Sequence, residues 1–271
     1  ESDISPESKV LMNEYYNRPT PPVNYVFFDI ENDYTQKIGY ATMDNPYAPI
    51  NAVTIYQSWI DSFVTYMVAP QGMVLSDKVQ DTIARMWKHY GIKADPNVVI
   101  CANEEELLVA LLNDIQSADI ISGWNSAFFD LPYIVKRLLV IRPKLVNKLC
   151  FPGCKAPREN TIEKFGNPQL TYQLHGRTHL DYIDLYRKFS SGSRPSYALG
   201  AICEDDLSVT KLDHDGSLEQ LYKGTYRPDV TDMTLEDADA LPDEIQRNNA
   251  RREMMRRELV RRGVMKEDVN V

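Results

Sequence analysis

Cysteine is scarce in this chain: four in 271 residues. That is too few for a disulfide framework and is expected of a reducing, cytosolic compartment. No apolar run approaches the roughly 18 residues that a membrane-crossing helix needs. The first residues, Glu1-Ser2-Asp3-Ile4-Ser5, are polar and acidic, unlike a signal peptide. An excess of positive charge is missing too. With 39 acids against 30 bases the formal net charge is −9, so no global basic field draws in nucleic acid, and any such contact must be local and metal-assisted. There is no internal repeat and no low-complexity tract.

What is present is an ordinary globular composition, 43% hydrophobic and 25% charged, enough for one large domain or two small ones. The run Tyr25-Val26-Phe27-Phe28-Asp29-Ile30-Glu31 organises the rest. As a strand it alternates faces, so Asp29 and Glu31 point the same way. Two acids on one face of an apolar strand are costly to bury unless a cation compensates them. A strand that merely turns acidic at the surface is the plainer reading.

Residues 8–16 read as a short helix, and the prolines up to residue 22 as an extended connector. Residues 24–31, 37–42, 50–59 and 63–68 read as an antiparallel meander. Residues 76–90 carry a helical stripe and stop at Gly91. A strand over 97–101 leads to Asn103, which with Glu106 makes a capping box for a helix whose core face is Leu107, Leu108, Leu111, Leu112 and Ile115. A strand over 119–124, a turn, and a helix over 131–139 complete the α/β half of a mixed sheet. Further on, a hairpin turning at Gly166-Asn167-Pro168, a strand over 180–185 and helices over 198–204 and 217–222 are expected. Residues 245–262 form a helix with seven arginines, closed by Gly263. It follows an acidic stretch and is either a solvated appendage or a dock for a partner.

Asp130 stands where a loop enters a helix, the ordinary place for an N-cap. Asn125 and Phe128 in the preceding turn suit a base and a sugar, although Phe128 and Phe129 suit a core equally well.

Phe28-Asp29-Ile30-Glu31 resembles the first exonuclease motif of family B DNA polymerases. Trp124-Asn125 through Phe129-Asp130-Leu131-Pro132-Tyr133-Ile134 resembles the second, in the same order and about a hundred residues later. Asp181-Tyr182-Ile183-Asp184-Leu185-Tyr186, Arg194-Pro195-Ser196-Tyr197-Ala198-Leu199 and the 212–221 segment are similar to stretches of T-even-like phage polymerases. The resemblance implies an α/β, ribonuclease-H-like mixed sheet with flanking helices over residues 23–226, after a connector over 1–22. It implies a 3′→5′ exonuclease whose four carboxylates hold two ions, Mg²⁺ or Mn²⁺. Asp29, Glu31 and Asp130 are the implied ligands and catalytic residues. Asn125, Phe128, Phe129, Ser196 and Tyr197 are the implied contacts to single-stranded or primer-template DNA. The implied location is the cytoplasm of an infected bacterium, away from any membrane. The hairpin matches one that separates primer from template in such polymerases.

The family's third motif, Tyr-x-x-x-Asp, has no good counterpart. Tyr226-Arg227-Pro228-Asp229-Val230 places the acid one residue early and a proline inside a helical motif. Nothing resembling a polymerase palm follows. Either a second polypeptide brings the fourth acid and the palm, with residues 227–271 as a divergent tail that docks it, or the fourth ligand is altered and the chain is a weak exonuclease or a structural subunit. Cys150, Cys154, His175 and His179 look superficially like a zinc set. Four residues of strand, however, hold two histidines roughly 13 Å apart.

Overall fold

The computed structural model describes residues 4–34, 37–70, 72–76, 78–91, 97–164, 166–211, 216–217, 220 and 227–266. A helix over Pro6–Val10 (α1), continued by a π-helical turn over Leu11–Tyr15, and the proline stretch lead in, exposed throughout.

The strands are β1 (Tyr25–Asn32), β2 (Ile50–Gln57), β3 (Ser62–Val68), β4 (Val98–Cys101), β5 (Ile120–Gly123), β6 (Arg158–Lys164), β7 (Asn167–Gln173) and β8 (Thr178–Asp181). Six form one sheet in the order β4-β3-β2-β1-β5-β8, while β6 and β7 pair as a separate hairpin. Only β2 runs against its neighbours; β3–β4, β1–β5 and β5–β8 are parallel. This is the mixed sheet of a ribonuclease-H-like domain, and β1 lies inside it with partners on both edges.

On β1 the burial alternates strictly. Val26, Phe28 and Ile30 are buried, while Tyr25, Phe27, Asp29 and Glu31 face outward. The buried set meets α3 (Glu104–Asp114) and α4 (Asp130–Ile141) in one core, with Leu107, Leu108, Leu111, Leu112, Leu131, Ile134 and Leu138 at its centre. Each such side chain contributes about 1.5–3 kcal/mol on leaving water. Asn103 caps α3 by accepting the Glu106 N–H at 3.0 Å, and the Glu106 carboxylate accepts from Ala102 N–H at 2.6 Å. Glu104 accepts from Ile50 N–H at 2.8 Å and from Arg137 Nε at 2.7 Å, which ties β2, α3 and α4 together.

Several elements differ from the sequence reading. Residues 37–42 form a turn region in place of a strand. Asn167 and Pro168 belong to β7, so the hairpin turns one or two residues earlier, with Lys164 opposite Asn167. Pro168 is tolerated because a two-stranded ribbon leaves its backbone nitrogen on an edge. The strand expected over 180–185 ends at Asp181, and Tyr182–Phe189 is a helix, α5. The Asp181 side chain decides this by accepting the Ile183 N–H at 3.1 Å as an N-cap. Of the short helix expected over 217–222 only Ser217 and Gln220 are described, and Tyr226 lies outside the described residues.

Helices α2 (Val79–His89), α6 (Leu199–Leu207), α7 (Leu235–Asp239) and α8 (Glu244–Arg261) complete the structure. The basic helix α8 lies on the domain itself. Met255 and Leu259 pack with Val79, Ile83 and Met86 of α2 and Ile100 of β4. The Lys266 N–H donates to Gly72 O at 2.8 Å and the Val74 N–H to Val264 O at 2.7 Å, fastening the chain beyond α8. Among the described residues no helix is long and apolar enough to cross a membrane.

Candidate active site

Asp29 and Glu31 share the outward face of β1, as the alternation requires. Asp29 keeps contact with solvent. Even so, the protein around it displaces enough water to raise its carboxyl above the ordinary range. Glu31 adds to this and Lys211 opposes it.

Asp130 is 4% exposed. It is the first residue of α4 and not its cap: Phe129 holds that position and makes no side-chain cap bond. Asp130 Oδ1 instead accepts the Ile30 N–H at 3.3 Å, from the residue between Asp29 and Glu31. Burial first, and the Asp29 charge second, push its carboxyl up to about 7, against the pull of the Ile30 N–H. The fold thus brings a helix-borne acid onto the C-terminal part of β1, a hundred residues away. The donors are hard oxygens gathered at some electrostatic cost, the chemistry that Mg²⁺ or Mn²⁺ offsets. Among the described residues the acids do not close into a three-ligand cage. Glu31 lies roughly 7 Å along the strand from Asp29, and one Asp130 oxygen is turned to the backbone.

Gly123 makes the close approach possible. A Cβ there would sit 2.6 Å from Phe28 O and 2.9 Å from Ser126 Cβ. The turn that follows contains Asn125 at φ +60°, a left-handed position that asparagine tolerates well. Asn125, Phe128 and Phe129 line a groove of roughly 700 Å³ whose other wall includes Gln169 and Leu170 of β7, with Arg187 of α5 alongside. Phe129 also stacks on the buried Tyr133, ring centres 5.6 Å apart, so it serves the core as well as the groove. Tyr197 is brought to the same turn: Trp124 Nε1 donates to its carbonyl at 3.1 Å, and the Arg187 guanidinium lies 4.3 Å from its ring centre. Ser196 is exposed, and its hydroxyl accepts the Ala198 N–H at 3.2 Å.

Two residues of β8 reach the same turn, and sequence reasoning assigns neither a role there: His179 falls in a zinc-like set and Asp181 only in a stretch similar to phage polymerases. Asp181 takes backbone N–H groups of the Asn125 turn, and His179 Nε2 lies 2.9 Å from Ser126 Oγ. Burial lowers the His179 imidazole to about 4. This nitrogen is engaged by Ser126, and His175 lies in the bend before β8, so the strand spacing assumed for the two histidines does not apply. The signal for Asp181 was its place just before a helix, hidden by assigning 180–185 to a strand.

Three acids of the tail have local duties. Asp229 accepts the Thr231 N–H at 2.9 Å, Asp237 closes a capping box with Thr234, and Asp239 pairs with Arg251.

Comparison with known proteins agrees with the geometry. Residues 2–202 match the model of the DNA polymerase family B exonuclease domain. The DNA-directed DNA polymerase of Escherichia phage RB69 is 34% identical over 211 residues, covering 74% of this chain and 23% of that protein. The DNA-directed DNA polymerase of Enterobacteria phage T4 is 30% identical over 127 residues, covering 46% and 14%. The DNA polymerase of Thermococcus litoralis is 29% identical over 127 residues, covering 46% and 7%. The chain therefore spans less than a quarter of these relatives. With its two motifs meeting on β1 and its first three quarters matched, the chain belongs to the exonuclease-domain family of family B DNA polymerases.

Proposed function

We propose that this chain is the 3′→5′ proofreading exonuclease part of a family B replicative polymerase of phage type, acting on the 3′ end of single-stranded or frayed DNA in the cytoplasm of an infected bacterium. The observation that carries this is the bond from the Ile30 N–H to Asp130. It sets the second-motif acid against Asp29, beside a groove lined by Asn125 and Phe128.

Asp29, Glu31 and Asp130 are the proposed holders of two divalent ions. Bound there, such ions lower the pKa of a water and stabilise a leaving 3′ oxygen. The chain's own part is placement. Phe128 and Phe129 offer rings for stacking, worth about 1–3 kcal/mol per base. Asn125 supplies polar contact, and the 196–197 segment extends the strand's seat past Trp124. The β6–β7 ribbon forms the far wall and is the proposed divider of primer from template.

The local engagement of Asp229, Asp237 and Asp239 favours a fourth carboxylate from elsewhere. We place it on a second polypeptide that also carries the palm, with residues 227–271 as the docking element through the outer side of α8. The alternative is a structural subunit with little activity of its own. A 5′-labelled single strand incubated with Mg²⁺ or Mn²⁺ tests the reading. Stepwise shortening from the 3′ end, faster when a polymerase polypeptide with a Tyr-x-x-x-Asp helix is added, is expected. Failure to shorten in either mixture would exclude it.

A further inference from the structure

Asp181 is 7% exposed, and its carboxylate holds more than its own helix. Oδ1 accepts the N–H of Ile183 at 3.1 Å, which caps α5, and the N–H of Asn125 at 2.9 Å. Oδ2 accepts the N–H of Ala127 at 3.0 Å. Two of these three donors belong to the turn between β5 and α4. One strand pitch earlier on the same side of β8, His179 pairs with the fully buried Ser126. The Ser126 carbonyl in turn accepts the Leu131 N–H at 2.9 Å, in the first turn of α4.

We propose that Asp181 is a positioning residue for the DNA strand: it fixes the turn that presents Asn125 and Phe128 to the groove. The inference rests on the proposed reading of that groove as the seat of a 3′ end. Only a carboxylate fits the task. It has acceptor sites on both oxygens, whereas an amide would aim its NH₂ at the Ala127 N–H. Charge-assisted bonds to backbone N–H groups are also the stronger kind. The clamp also selects the left-handed conformation of Asn125, which asparagine tolerates but does not adopt exclusively.

Asp130 depends less on the clamp: the Asp181 charge is the last and smallest influence on its carboxyl. Its carboxylate is held by Ile30 N–H, and α4 is anchored by Leu131 and Ile134, both at most 1% exposed. Loosening the turn should therefore cost DNA binding and leave the chemical step nearly intact.

The test uses the full chain carrying Asp181→Asn or Asp181→Ser. Serine retains a good N-cap for α5 and cannot reach both turn amides. Asn103→Ala is the control, since it removes a comparable cap on α3. Both Asp181 variants should raise KM for a single-stranded oligonucleotide about tenfold with kcat little changed. They should weaken binding of a fluorescein-labelled oligothymidylate in EDTA by a similar factor. Asn103→Ala should lower the melting temperature and leave KM alone. Unchanged KM and binding in both Asp181 variants, or a loss carried by kcat, would overturn the inference while leaving the exonuclease reading standing. A wild type that binds the oligonucleotide but never cuts it, with Asp181→Asn binding weakly, would sink the exonuclease reading and keep the inference. A wild type that neither binds nor cuts would remove both.

Discussion

Asp130 is buried and His179 half-buried, and acid acts on them in opposite senses. The Asp130 carboxyl is raised to about 7, so the folded state holds a proton that the unfolded chain has released. Its contribution to stability is full below the unfolded value near 4 and is lost as pH rises through about 7. His179 is lowered to about 4, so its contribution is present above the unfolded value near 6.5 and is lost as pH falls toward 4. If Asp130 holds a divalent cation as proposed, the cation must displace its proton. The rise in melting temperature on adding Mn²⁺ should therefore be small near pH 6 and larger near pH 8, and Asp130→Asn should abolish the increment. A gain independent of pH, or one retained in Asp130→Asn, would contradict this placement. Gly123 makes a second prediction at this scale. Its missing Cβ lets β5 close on Phe28 O, so Gly123→Ala should destabilise the domain by about 1–3 kcal/mol, read as a lower urea midpoint at unchanged slope. An unaltered midpoint would mean that the strand yields without cost.

At the scale of elements, what was legible followed from periodicity. β1 and α3 were readable because their apolar residues recur at two and at three to four residues, with Asn103 marking where α3 begins. α5 was not, because Leu180, Tyr182 and their neighbours satisfy a strand pattern as well as a helical one. The contest is settled by a cap bond within Asp181–Ile183. The candidate site divides similarly. Asp29 and Glu31 share a face by geometry that any strand has, and Asp130 stood out by its motif. The roles of Asp181, His179 and Gly123 depend on which strands become neighbours, and one chain pattern does not carry that. α8 taught the reverse lesson. Its arginines suggested a solvated helix, yet Glu253, at 4% exposure, receives Arg256 and Arg257, and Glu258 receives Arg261 and Arg262. Its few apolar residues complete a core that α2 and β4 begin. Leu259→Ala should cost about 2–5 kcal/mol in chemical denaturation. A cost near zero would mean that α8 rests on the domain without stabilising it.

At the scale of the whole molecule, the chain matches a family of long polymerases and spans 23% of the RB69 protein. What it brings is a mixed sheet with Asp29 and Glu31 on one face of β1 and Asp130 bonded to the Ile30 N–H between them. Under the proposed function, the fourth acid and the palm come from a second polypeptide. The central claim is narrower: these three acids are the chemical centre. Its most direct measurement is the rate at which Mg²⁺-dependent digestion shortens a single-stranded oligonucleotide, for wild type and for Asp29→Ala with Glu31→Ala, at a pH near 8 where Asp130 is ionised. The account predicts that the double variant retains its fold and loses digestion to background. Digestion by the double variant at the wild-type rate would contradict it.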